Sequence, residues 1–139
     1  ITGQIHFFFN VYPCTGTVIV DREPTIYVIG STDRSGADAY NQALSEKRAR
    51  TVAEAIRVLL LKDRSSLGQA VRIAYQGVGE RFAIEAGEAD ETKNEKFREV
   101  QINVTSVGPP NGTEEGWKEL DPVSPADPTI PGKNGLEDL

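Results

Sequence analysis

Residues 37 to 62, ADAYNQALSEKRARTVAEAIRVLLLK, contain no glycine or proline and place apolar residues at helical spacing, so they predict one long helix. At about 1.5 Å per residue it would run roughly 40 Å, and it needs an apolar surface of similar length to lie on. The remaining apolar runs are short and have strand character. Residues 4 to 11, QIHFFFNV, alternate Ile5, Phe7 and Phe9 with His6, Phe8 and Asn10. TVIV at 17–20 and TIYVI at 25–29 follow, the latter stopped at Gly30. AVRIAYQ at 70–76 and REVQINVTSV at 98–107 complete the set, the last with Val100, Ile102 and Val104 on one face. Between these two lie the turn GVGE and an acidic stretch, with a short helix expected near 90–98. Strands alternating with helices predict an α/β (α+β) two-layer sandwich, with helices packed on one mixed sheet.

The long helix poses a problem on its buried face. With Tyr40 set at zero and about 100° per residue, Leu44, Ala55, Leu59, Val52 and Ile56 fall between about 40° and about 160°. Those bulky residues mark the expected core stripe. Arg48 falls at about 80°, in its middle, and Asn41 at about 100°, with Ser45 on its border. Burying an isolated guanidinium costs several kcal/mol, about the stability of a small domain, so Arg48 is expected to be paired or to face an opening.

Asp33 is the nearest candidate partner, because the loop STDRSG runs from a strand end into the helix start. That edge of an open α/β sheet is where ligands collect. Two readings follow. In one, Asp33 and Arg48 form a structural ion pair that pins the loop. In the other they flank a cleft and receive a zwitterion, Asp33 taking an ammonium and Arg48 gripping a carboxylate through two parallel hydrogen bonds.

Charge is spread unevenly. The formal net charge is −6, yet from Val107 onward seven acids face two bases and six of the eight prolines gather. That stretch has almost no apolar periodicity and reads as an acidic tail or linker, residues 107–139, with Trp117 and Leu120 as its docking points on a domain of residues 1–106. The remainder is near neutral, which argues against a nucleic-acid surface. No apolar run approaches the roughly 18 residues of a membrane span, so any membrane attachment is expected through segments outside this chain. The start at Ile1 and the lack of methionine read as a piece of something longer.

The residues around Asp33 and Arg48 carry a resemblance. TDRSGADAYNQALSEKRARTVAEAI is similar to the signature of the OmpA C-terminal-like domain, a peptidoglycan-binding module of Gram-negative cell envelopes. Thr32, Asp33, Gly36, Asn41, Leu44, Ser45, Arg48 and Ala49 stand at the family's spacing. RIAYQGVGE at 72–80 resembles its strand and Gly-x-Gly-Glu turn, and Val100 to Ile102 its final strand. The resemblance covers roughly residues 4 to 106 and implies a βαβαβ topology, here with a shortened or missing first helix. It also implies non-covalent binding of the peptidoglycan stem peptide through meso-diaminopimelate, in the periplasm. Asp33 would bind the ammonium, Arg48 the carboxylate, and Asn41 and Thr32 would support them. Ser31 stands where the family usually carries His, and Phe97-Arg98-Glu99 stands for its Asn-Arg-Arg, keeping one arginine. The alternative is an OmpA-like fold that has lost its ligand and serves as a structural or protein-interaction domain.

Other chemistries find no support. His6 is the sole histidine and Cys14 the sole cysteine, so there is no metal-ligand set and no Ser/His/Asp or Cys/His arrangement for catalysis. GVG at 77–79 lacks the third glycine and following helix of a dinucleotide fold. No cofactor and no enzymatic activity are expected.

Overall fold

The computed structural model describes residues 4–9 and 24–125. Five strands, β1 (Gln4–Phe9), β2 (Thr25–Gly30), β3 (Arg72–Gly77), β4 (Glu99–Thr105) and β5 (Lys118–Glu119), form one mixed sheet in the order β1-β4-β2-β3-β5. β2 runs parallel to β3, β1 parallel to β4, and the two pairs meet antiparallel at β2 and β4. The long helix α1 (Asp38–Lys62) lies across one face, and a one-turn helix α2 (Arg81–Glu85) follows β3. This is the expected α+β sandwich. The expected TVIV strand and the place of a first helix lie outside the described residues. Among the described residues no helix is long and apolar enough to cross a membrane.

The core is the layer between α1 and the sheet. Val28, Ile73 and Val100 are all but inaccessible and pack with Ile102, Tyr75, Val52, Ala49 and Ala53. The face of α1 that meets them shares Val52 with the one the bulky residues marked but is rotated toward smaller residues. The buried residues of α1 are Asn41, Ser45, Ala49, Val52, Ala53 and, at its end, Leu61, while Tyr40 is 65% and Leu59 63% exposed. The true stripe is centred at about 150° on the same helical scale, so Arg48 lies on its flank rather than in its middle.

Small residues move the stripe because the sheet offers a notch to receive them. Gly30 and Gly77 are register partners at the ends of β2 and β3, and the Ser45–Glu46 backbone lies directly over them. A Cβ on Gly77 would come within 2.5 Å of the Glu46 Cα and 2.6 Å of the Ser45 Oγ. Polar groups fasten the same contact: Gly79 N donates to Ser45 Oγ at 2.9 Å, and Gln42 Nε2 to the Gly77 carbonyl at 2.6 Å.

In the last third the helix differs from the sequence expectation, and the tail meets the domain at Trp117 and Leu120 as expected while adding a short strand and a bridge that were not. The helix expected near 90–98 is a single 3-10 turn at 95–97, and the α-helical turn sits earlier at 81–85. Part of the acidic Pro/Gly-rich segment also packs on the domain. β5 pairs antiparallel with β3, Val123 bridges to Val71 and is fully buried, and Leu120 is partly buried against the core. Trp117 meets the Tyr27 ring edge-on, 4.9 Å between centroids, on the sheet face away from α1.

Candidate functional site

Where β2 ends, the chain is stitched to both neighbours before it turns. Ser31 N donates to the Glu99 carbonyl at 2.9 Å and Ser31 Oγ to the Phe97 carbonyl at 2.7 Å. Thr32 N donates to the Gly79 carbonyl at 2.9 Å. Ser31 is therefore a strut between β2 and the approach to β4. With these bonds made, Asp33 emerges at a fixed position, and Gly36, at φ +88°, provides the left-handed turn that leads into α1.

The Asp33 carboxylate is nearly inaccessible and accepts four hydrogen bonds. Oδ1 takes Ser35 N at 3.0 Å and Ser35 Oγ at 2.6 Å, while Oδ2 takes Asn94 N at 3.0 Å and Arg98 Nε at 2.7 Å. Burial pushes its pKa up, but the hydrogen bonds from Ser35, the Asn94 amide and Arg98 outweigh it and hold the group at about 2. The ion-pair partner the structure gives Asp33 is thus Arg98, where sequence reasoning had considered Arg48.

Thr32, Asp33, Asn41 and Arg48 nonetheless meet. Together with Ser35, Tyr40, Leu44 and Arg98 they line one cavity of about 180 Å³ between the loop and the first turns of α1. Its charged walls are one carboxylate and two guanidiniums. Thr32 Oγ1 is buried and makes no hydrogen bond among the described residues.

Asn41 lines the cavity and also ties the loop to the GVGE turn. Its side-chain amide is buried and donates to the Ser35 carbonyl at 2.7 Å and to Glu80 Oε2 at 2.8 Å. Glu80, from the GVGE turn, also pairs with Arg34 Nε at 3.2 Å, and Arg34 Nη1 donates to the Glu88 carbonyl at 3.0 Å. Burial raises the Glu80 carboxyl, but bonds to Asn41, Asp38 and Arg34 bring it below its ordinary value. Asp38 moves the other way because it hydrogen-bonds to Glu80 and lies beside its charge. Asp38, Glu80 and Asp90 gather carboxylate oxygens within 4.8 Å, and Arg34 already pairs with two of the three.

Asn41→Ala would take the donor from the Ser35 carbonyl and from Glu80 Oε2, leaving Glu80 held by Arg34 on its other oxygen. The expected cost is about 2–3 kcal/mol, seen as a lower midpoint in urea unfolding with an unchanged slope. An unchanged midpoint would show that Asn41 does not clamp the loop.

As site residues, sequence reasoning missed Ser35 and Asn94, and it placed Glu80 and Arg98 only as parts of family motifs. The signal for Ser35 was present in the Asp-x-Ser spacing, which favours a side-chain-to-backbone turn. Nothing local marks a backbone amide 61 residues away.

Comparison with known proteins places this loop and helix in a family. The model of the OmpA family matches residues 17–99, more than half of the 139 residues, and that range holds every residue lining the cavity. The chain belongs to the OmpA family. Among its relatives, outer membrane protein A of Citrobacter freundii is 38% identical over 72 residues, covering 52% of this chain and 27% of the relative. Outer membrane protein A of Escherichia coli O157:H7 is 36% identical over 94 residues, covering 62% of this chain and 25% of the relative. The chain thus spans about a quarter of the length of these curated relatives. No solved structure matches it. β1, most of β4 and β5 fall outside the residues matched to the OmpA family.

Proposed function

We propose that this OmpA-family domain binds peptidoglycan without a covalent bond, through the meso-diaminopimelate of the stem peptide, and tethers an envelope protein to the cell wall in the periplasm. The supporting observation is the cavity that brings Asp33, Arg48 and Arg98 to its walls, with Thr32 and Asn41 beside them. The side-chain end of meso-diaminopimelate carries one ammonium and one carboxylate. A cavity walled by one carboxylate and two guanidiniums matches that end in sign, and charge-assisted, bidentate pairing would orient it.

A second reading draws on the saturated hydrogen bonding of Asp33. Four donors on one carboxylate also suit a loop built for rigidity, in a domain that uses the fold as a structural or protein-interaction module.

Sedimentation with insoluble peptidoglycan sacculi separates the two. Under the binding reading the wild type pellets, while Asp33→Ala and Arg48→Ala, checked for folding by circular dichroism, remain in the supernatant, with affinity lost by about a hundredfold or more. Equal pelleting of all three, or none by the wild type, favours the structural reading.

A further inference from the structure

A carboxylate offers about four hydrogen-bonding positions, and all four on Asp33 are taken. An arriving ammonium must therefore displace a donor. Three of the donors are fixed. Two come from Ser35 within the same turn, and the third is the backbone amide of Asn94, whose side chain is bonded to Glu88 and to Lys96 N. The fourth differs. Arg98 reaches Asp33 on a long side chain that is 31% exposed, lines the same cavity, and lies between two residues held by Ser31. Its backbone is anchored while its guanidinium can swing.

We propose that Arg98 determines specificity in this cavity, occupying the ammonium position on Asp33 until a guest displaces it by offering a carboxylate to the released guanidinium. This rests on the reading of the cavity as a diaminopimelate site. A guest with both charges exchanges one ion pair for two, because its ammonium takes the place of Arg98 and its carboxylate receives Arg98. A guest with the ammonium alone leaves a guanidinium without its anion in a partly buried site that already holds Arg48, and such an orphaned charge is costly. Discrimination against lysine then arises from the displaced arginine as well as from Arg48.

The test uses two stem peptides that differ only in carrying meso-diaminopimelate or lysine at one position, with that residue's backbone amine and carboxyl both in peptide bonds. Each competes with sacculi for the full chain. For the wild type the diaminopimelate peptide competes at least about tenfold better than the lysine peptide. In Arg98→Gln the lysine peptide improves, the diaminopimelate peptide weakens, and the ratio falls to about twofold, whereas Arg98→Lys keeps most of it. Equal weakening of both peptides, or an unchanged ratio, would overturn the assignment.

A second measurement needs no variant. The Arg98 Nε–H proton resonance of the wild type should move on saturation with the diaminopimelate peptide, and a resonance that stays in place would equally refute displacement. Failure of the wild type to bind either peptide would instead defeat the underlying reading of the cavity, so the two failures are distinguishable.

Discussion

Gly77→Ala is expected to destabilise the domain by about 3 kcal/mol or more, lowering the melting temperature by roughly 12 °C or more, while Gly68→Ala changes it by a degree or two at most. The two substitutions add the same methyl group in different surroundings. Around Gly68 there is nothing within 4 Å, whereas at Gly77 the new carbon would overlap the Glu46 backbone and the Ser45 hydroxyl. A clash with a flexible side chain can relax, but here the obstacle is the backbone of α1. The helix must lift from the sheet, breaking the bonds from Gln42 and to Ser45 Oγ and opening the core beneath Ala49 and Ala53. A variant that melts within about 2 °C of the wild type would show that the glycine pair does not set the distance between helix and sheet. Because Asn41 and Arg48 ride on the same part of α1, a lifted helix would also widen the cavity.

This notch explains which parts of the molecule were legible in the sequence. The strands and α1 came out within one or two residues of their observed ends, because alternation and helical spacing are imposed by burial over many residues at once. The rotation of α1 did not. Bulk was used to find the buried face, and a helix that beds on two glycines buries Ser45, Ala49 and Ala53 and leaves Tyr40 and Leu59 outside. Only knowledge that Gly30 and Gly77 sit side by side would have corrected it, and that register is a tertiary fact. α2 and β5 are five and two residues long, too short for any period to show. Of the residues that line the cavity, Asp33, Asn41 and Arg48 stand out from local sequence and Thr32 from the family resemblance, because one loop and the following helix carry all four. Arg98 and Glu80 approach from 65 and 39 residues away, where neither spacing nor composition points to them.

The same Asp33 contacts predict how stability depends on pH. Asn at position 33 keeps the shape but loses the charge, so at pH 7 Asp33→Asn should be less stable than the wild type by about 2 kcal/mol. The sign follows from the direction of the shift. Asp33 is held at about 2 in the folded protein against an ordinary 3.8, so the folded state binds its proton later than the unfolded chain does as pH falls. The contribution is complete above the unfolded value, declines as pH drops below about 4, and is gone once pH passes below about 2. Urea unfolding of both proteins from pH 7 to pH 2 should therefore show two curves that start apart and converge in acid. A gap that stays constant across that range would mean the carboxylate's charge contributes nothing and only its shape matters. The asparagine variant also bears on sedimentation with sacculi. It removes the anion that would meet an ammonium, so a variant that is still folded at neutral pH but no longer pellets would separate recognition from scaffolding on a single side chain.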